Sequence, residues 1–259
     1  MSVIAYAGID VAFAKRKHLP IVVVRVNDGV VEPLPLRRAS ATPPRGEGNA
    51  RALDASVREI FAEKTAAYLH AVEAEFGVQI ERVAIDAPSD PKRSGSARRA
   101  CEREMDRLKI SCITTPDAEQ FAAICARAEE HLAAGGGQSN IPAANQIWML
   151  VGFALFQRLR HEWDCLEVFP QAIAAALGAS AIHKRTAEGQ LAQLAAVAKC
   201  TRWPSPPSLT ALDGIGHGAR HDRLDAYLSA WIASLPEPER RAAGEPPNDV
   251  IWLPARTSP

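Results

Sequence analysis

The opening of the chain alternates short apolar segments with turn residues, a pattern typical of β-strands. Residues 3–10 (VIAYAGID) form an apolar segment that predicts a buried strand. A second apolar segment over 21–26 is rich in β-branched residues, and an Asn-Asp-Gly hairpin sequence follows it. Residues 30–31 begin a return strand, which Pro33 confines to an edge of the sheet. The chain is therefore predicted to open with a β-meander.

Helical periods dominate the rest of the chain, with two more strands between them. Buried strands are predicted over 80–87 and 163–169. Apolar positions that recur every three or four residues predict helices over 51–76, 94–110, 117–134, 141–161, 171–177, 186–199 and 219–235. We expect a single domain over residues 1–235 with a helical insertion at about 92–161, and a Pro-rich C-terminal tail over 236–259.

The composition is that of an ordinary globular protein, with 47% hydrophobic residues and 30 Lys+Arg balanced by 30 Asp+Glu. This balance excludes a protein that coats nucleic acid by charge alone, although residues 15–45 and 92–109 each carry an excess of bases. Neither a secretory signal nor an apolar segment of bilayer length is expected, and the five cysteines form no Cys-x-x-Cys pair. We therefore expect a cytoplasmic protein without a membrane partner.

Carboxylates at the ends of the buried strands are the most informative feature of the sequence. The acids are Asp10 and Asp86 at two strand ends, Glu167 inside a third strand, and Asp222 and Asp225 at the start of the last helix. Strand ends meet at one edge of an α/β sheet, where several buried carboxylates repel one another unless cations neutralise them. Oxygen ligands suit Mg²⁺ or Mn²⁺, and two such ions about 3.5–4 Å apart promote phosphodiester cleavage.

Each acid also has a purely structural interpretation. Asp10 and Asp86 could accept hydrogen bonds from backbone N–H groups in turns. Glu167 could face outward from its strand, and Asp222 could cap the last helix. Only the joint pattern favours a metal site over separate structural roles.

Four short motifs in a fixed order resemble the domain-of-unknown-function 429 family. They are GID at 8–10, AIDAP at 84–88, LEVFP at 166–170 and HDRLDA at 221–226. The likeness also includes residues 99–104, Thr115-Pro116 and a Lys184…Gly189 pair, and it extends from about residue 2 to 235. Members of this family are predicted RNase H-like nucleases, related in fold to Holliday-junction resolvases.

The resemblance implies an α/β fold with an RNase H-like five-stranded mixed sheet flanked by helices. Three antiparallel strands come first, and a helical insertion separates the second and third acid-bearing strands. The implied catalytic acids are Asp10, Asp86, Glu167, Asp222 and Asp225. Of these, Asp10, Asp86 and Asp225 would hold two Mg²⁺ or Mn²⁺ ions, with Glu167 as the expected further ligand and Asp222 as its alternative. The chain departs from the usual family pattern at residues 11–13, where Val-Ala-Phe replaces glycines and a tryptophan, and at Glu102.

Basic residues and one histidine are candidates for the remaining roles at such a site. The candidates for contacts to a substrate phosphate are Lys15, Arg99 and Lys184. A solvated basic surface is the alternative for each of them. His221, beside the last pair of acids, is a candidate proton shuttle, with a simple surface residue as the alternative. The aromatic residues and Met149 within 148–156 fit a core stripe better than a base-stacking platform.

These features favour a metal-dependent nuclease that hydrolyses phosphodiester bonds in nucleic acid. One rival is a non-catalytic RNase H-fold binding module. A weaker rival is an actin-like or sugar-kinase-like ATP phosphotransferase, because no phosphate loop with Gly and Ser or Thr follows Asp10. The sequence leaves open whether the substrate is DNA, RNA or a nucleotide, and whether the protein is a homo-oligomer.

Overall fold

The computed structural model describes residues 2–255, which form seven strands and eight α-helices. The strands are β1 (Val3–Asp10), β2 (Ile21–Asn27), β3 (Val30–Pro33), β4 (Val78–Asp86), β5 (Asp164–Glu167), β6 (Arg240–Glu245) and β7 (Asp249–Pro254). The helices are α1 (Asn49–Ala52), α2 (Ala55–Phe76), α3 (Ala100–Arg107), α4 (Ala118–Ala133), α5 (Ala144–Leu159), α6 (Pro170–Ala176), α7 (Ala187–Thr201) and α8 (Arg220–Ser234). None of these helices is long and apolar enough to cross a bilayer.

The first five strands form one mixed sheet in the order β3-β2-β1-β4-β5. β2 runs antiparallel to β1 and to β3, whereas β4 runs parallel to β1 and to β5. Parallel neighbours need crossover connections. The chain passes from β1 to β4 through β2, β3 and α2, and from β4 to β5 through α3 to α5. The predicted α/β fold with three antiparallel strands first is confirmed, and it is consistent with an RNase H-like fold.

Helices cover both faces of this sheet. α2 and α5 pack on the face that carries Ile9 and Ile85. α8 packs on the other face, where Gly8 lets it approach closely, because a Cβ at this position would overlap the backbone of Ala226 and Ala230. β1 is therefore buried on both sides, and a strand with two buried faces has a nearly continuous apolar sequence.

Two predicted helices begin later than their periodicity suggests. Asp54 accepts a hydrogen bond from the Ser56 N–H and caps α2, which separates it from the short α1. The predicted helix over 94–110 is α3, which begins only at Ala100 because the preceding residue, Arg99, is an N-cap with an extended backbone (φ −64°, ψ 157°). In both cases an N-cap residue makes the helix begin later than the apolar pattern predicts.

The C-terminal segment differs most from its prediction. Residues expected in a Pro-rich tail form a hairpin in which β6 pairs antiparallel with β7. Ile251 and Leu253 are buried, and this apolar surface docks the hairpin on the body. The Asp249 carboxylate accepts hydrogen bonds from the Ala100 and Cys101 N–H groups at 2.7 and 3.2 Å, which ties the hairpin to the start of α3. Residues 256–259 of the predicted tail lie outside the described residues.

Candidate active site

Two of the predicted acids lie side by side at the carboxyl edge of the sheet. Asp10 ends β1 and Asp86 ends β4, and the two residues are direct partners in the parallel register. Neighbouring strands are about 4.8 Å apart, and residues opposite each other point to the same face. Gly8, two residues before Asp10, packs against α8, so both carboxyl groups are on the α8 side of the sheet.

Helix α8 brings two more acids to this edge. Asp225 is buried at 3% exposure, and Asp222 lies one turn earlier. The Asp222 carboxylate accepts a hydrogen bond from the Ala219 N–H at 3.1 Å and also contacts His221 Nε2 at 2.9 Å. Asp222 therefore caps the start of α8, as one interpretation of the sequence predicted, and it also lies among the acids.

One cation from the chain is placed among these acids. Lys184 Nζ donates a hydrogen bond to Oδ2 of Asp225 in a partly buried ion pair. The other oxygen, Oδ1 of Asp225, is buried and has no hydrogen-bond partner among the described residues. A buried carboxylate oxygen without a partner is costly, so this oxygen is available to a ligand.

The carboxylates perturb one another strongly. Burial, followed by repulsion from Asp225, raises the pKa of Asp86 to about 8. Burial and the charges of Asp225 and Asp86 raise the pKa of Asp10 well above its usual range. Burial also raises the pKa of Asp225, although Lys184 opposes this shift. The cluster therefore tends to retain protons, because its fully ionised form would carry more negative charge than one ammonium balances.

Glu167 was predicted as a further metal ligand, and its charge does reach the cluster, since it contributes to the raised pKa of Asp86. Its hydrogen bonds, however, are made to residues outside the cluster. It is in register with Ile85, so it points to the α2 and α5 side of the sheet, away from the face of Asp86. Arg99 holds its two oxygens at 2.8 and 2.7 Å in a buried bidentate ion pair. The Ser89 N–H donates to the same carboxylate at 2.8 Å. Burial still raises the pKa of Glu167 despite these contacts.

The predicted substrate-binding residues have three different environments. Arg99 is 4% exposed and is occupied by Glu167 and, at 3.4 Å, by Asp249. Lys184 contacts the acid cluster itself. Lys15 is exposed in the loop between β1 and β2. Of the three, Lys184 and Lys15 are the ones placed where a substrate could reach them.

Sequence reasoning missed a group of basic side chains beside the acids, which we call the Arg–His cluster (His18, Arg37, Arg45 and His217). The two imidazole rings lie 4.8 Å apart, and each accepts a hydrogen bond from one of the arginines. Burial, then the Arg37 charge, lowers the pKa of His217 to about 4. A neutral His217 can therefore accept from Arg37 at neutral pH.

The Arg–His cluster borders the acids through the backbone. The Asp10 N–H donates to the Pro20 carbonyl at 3.1 Å, and Pro20 packs against Gly218, the residue after His217. The excess of bases over 15–45 was the only sequence signal for this surface. The histidine pairing could not be predicted, because His18 and His217 are far apart in the chain.

The donors at the site suit a hard divalent cation, but they do not surround one. Within residues 2–255, no group of three or more His, Cys, Asp and Glu side chains is arranged so that it could hold a metal ion. The carboxylate oxygens, including the unpartnered Oδ1 of Asp225, nevertheless have the chemistry that Mg²⁺ and Mn²⁺ prefer. Lys184 occupies Oδ2 of Asp225, so its ammonium would repel a cation bound at Oδ1 and compete with one that took both oxygens.

The fold and the site together define a class of protein. The protein is an α/β protein with a five-stranded mixed sheet and carboxylates gathered at the sheet's carboxyl edge. The family model described as "Protein of unknown function (DUF429)" matches residues 8–248, and the chain belongs to this family. No curated protein and no solved structure is significantly similar to the chain.

Proposed function

We propose that the protein is a metal-dependent nuclease that hydrolyses phosphodiester bonds in nucleic acid. The observation that carries the proposal is the placement of Asp10 and Asp86 in register on parallel strands, near enough to Asp225 for its charge to raise the pKa of both. One oxygen of Asp225 is buried and unpartnered among the described residues. Partly buried acids with strongly raised pKa values, such as Asp10 and Asp86, are typical of functional sites.

In this proposal Asp10, Asp86 and Asp225 are the metal ligands. Divalent cations bound there would lower the pKa of a water and stabilise the charge that develops on the phosphate. Asp222 would orient His221, which contacts it at 2.9 Å and could move a proton to or from the reacting water. Lys184, once it leaves Asp225, would have its ammonium free to contact a phosphate oxygen.

A nucleic acid as the substrate is supported by the charges around the acids. Arg37 and Arg45 are exposed, and each donates to an imidazole of the Arg–His cluster rather than to a carboxylate. Lys15 is exposed on the same β1–β2 loop as His18. Phosphates on either side of a scissile bond are the natural partners of such a surface.

The segment after Asp10 argues against the phosphotransferase rival. Val11 and Phe13 are buried in the core, and Phe13 packs edge-on against Phe61 at 4.8 Å. A phosphate loop needs exposed backbone N–H groups on small residues, whereas this segment is anchored by large apolar side chains.

The proposal is tested by measuring Mn²⁺-dependent cleavage of labelled DNA and RNA, single-stranded and duplex, by wild-type protein and Asp10→Asn. We expect Asp10→Asn to lower cleavage by at least about 100-fold, since removing groups that merely orient metal ligands already costs roughly 10–100-fold. The control is Asp90→Asn, because Asp90 is an exposed carboxylate just beyond β4.

Two outcomes would contradict the proposal. The first is cleavage by Asp10→Asn equal to that of the wild type, because the acid would then have no part in the reaction. The second is the lack of any Mn²⁺-binding heat in isothermal titration, together with no cleavage of any of the four substrates. That combination would support the non-catalytic binding module.

A further inference from the structure

A cavity of about 450 Å³ opens directly beside the acid cluster. Asp86 lines it on one side, so the cavity and the proposed metal site share a residue. Its other walls come from the loop before α4, from α5 and from the end of β5. Its volume is within the usual range for sites that bind small organic groups.

Most of the cavity wall is apolar and partly aromatic. The apolar side chains include Pro88, Ile113, Trp148, Met149, Phe169 and Ile251. Trp148 and Met149 were predicted to belong to a core stripe, and Met149 is indeed buried at 2% exposure. Trp148, in contrast, is only half-buried, and its indole N–H donates to the Asn145 carbonyl at 2.8 Å. With its polar atom satisfied, the Trp148 ring contributes apolar surface to the cavity.

Apart from Asp86, the charged residues in the wall are already compensated. Arg99 and Glu167 neutralise each other in their bidentate pair. Glu102 accepts hydrogen bonds from the Thr115 N–H at 2.7 Å and from the Arg99 N–H at 3.2 Å. A charged ligand group would therefore gain little here, whereas a flat, largely apolar group would fit.

Two polar side chains in the lining can recognise the edge of such a group. Ser111 and Gln171 both line the cavity, and both are exposed residues. A hydroxyl and an amide can each donate and accept hydrogen bonds, which matches the mixed donors and acceptors at the edge of a nucleobase. Apolar walls with a few polar groups are the usual composition of base-binding pockets.

We infer that this cavity binds one unpaired nucleobase of the substrate, whose phosphate lies at the Asp86 side. The inference rests on the proposed function, because it is the phosphate at the acids that brings a base to the cavity. A base within a duplex is stacked on both faces and cannot enter a concave pocket. The preferred substrate is therefore single-stranded nucleic acid, or a strand with an unpaired nucleotide.

The test compares two single-stranded oligonucleotides of equal length and charge, one with bases and one fully abasic. Binding to full-length protein is measured by fluorescence anisotropy with Ca²⁺ in place of Mn²⁺. We expect the wild type to prefer the oligonucleotide with bases. Trp148→Ala should weaken its binding by roughly 5- to 150-fold, the loss that corresponds to one base–aromatic stacking contact. Binding of the abasic strand should not change.

Three further variants and one probe make the result specific. Trp148→Phe keeps an aromatic ring and should restore most of the affinity. Phe153→Ala is the matched control, because Phe153 is also on α5 and half-buried but packs against Phe121 at 5.3 Å. Gln171→Ala should alter preference among bases. A duplex of the same sequence should bind more weakly than the single strand.

The inference is overturned if wild-type protein binds both oligonucleotides equally, or if Trp148→Ala weakens binding of both strands by the same factor. Parallel Mn²⁺ titrations separate this failure from that of the proposed function. Metal binding without base-dependent binding leaves the nuclease and removes the base pocket. Base-dependent binding without metal binding keeps the pocket and removes the nuclease.

Discussion

Asp86→Asn is expected to stabilise the protein in the absence of metal while it removes a ligand from the proposed site. Asp86 has a pKa near 8 in the folded protein, raised from 3.8 mainly by burial and by repulsion from Asp225. The folded chain therefore holds this proton more tightly than the unfolded chain. The free energy of unfolding of the wild type should decrease as the pH rises from about 4 to about 8.

The magnitude follows from the size of the shift. Each unit of pKa difference corresponds to about 1.4 kcal/mol. The free energy of unfolding should therefore decrease by at most roughly 4 kcal/mol between about pH 5 and pH 8. Asp10 and Asp225 titrate together with Asp86, so the removal of one carboxyl group recovers only part of this free energy. We expect Asp86→Asn to be more stable than the wild type by about 1–3 kcal/mol near pH 8, and to differ little near pH 5.

The assay is urea unfolding at both pH values in the presence of a chelator. Asp90→Asn serves as the control, because Asp90 is exposed and its contact with Arg160 at 3.4 Å is weak. Mn²⁺ should then stabilise the wild type near pH 8 but have a much smaller effect on Asp86→Asn. If the stability of Asp86→Asn shows the same pH dependence as that of the wild type, the reasoning is refuted, because folding would then not raise the pKa of Asp86.

Two other variants address the cations of the site. Lys184→Met should tighten Mn²⁺ binding by roughly 5-fold or more in isothermal titration, since the Lys184 ammonium competes for Oδ2 of Asp225. Lys199→Met is the control, because Lys199 is exposed. An unchanged or weaker affinity of Lys184→Met for Mn²⁺ would show that the ammonium and the metal ion do not compete. Arg99→Met should lower the free energy of unfolding by about 3–5 kcal/mol, because it leaves Glu167 buried without a partner. The double variant with Glu167→Gln should recover part of that loss in the same urea titrations, and a change below about 1 kcal/mol in Arg99→Met would contradict the buried-pair interpretation.

The positions of Asp10 and Asp86 could be predicted from the sequence because they depend on local features. Each terminates an apolar strand, and parallel strands of similar length bring their carboxyl ends to one edge. The pair on α8 is equally local, since residues three apart share a helix face. Strand type, strand direction and helix period together place these four acids at one edge of the sheet.

The environment of Glu167 could not be predicted, because it depends on register. Glu167 is opposite Ile85 rather than Asp86, and a difference of one residue moves a side chain to the other face of the sheet. Its partner Arg99 lies 68 residues away in the chain, and Lys184 lies 41 residues from Asp225. No periodicity connects such pairs. The sequence therefore predicts which acids reach the edge, but not which cation each one meets.

The two kinds of buried acid at this edge differ in how completely they are neutralised. Glu167 has a bidentate arginine and a backbone N–H, so its charge is matched within the chain. Asp10, Asp86 and Asp225 share one lysine, and one oxygen of Asp225 meets no partner among the described residues. A structural network would be expected to satisfy these groups, since an acid without a partner must either keep its proton or destabilise the fold when it ionises. The incomplete neutralisation is therefore what favours a site that takes its remaining positive charge from outside the chain.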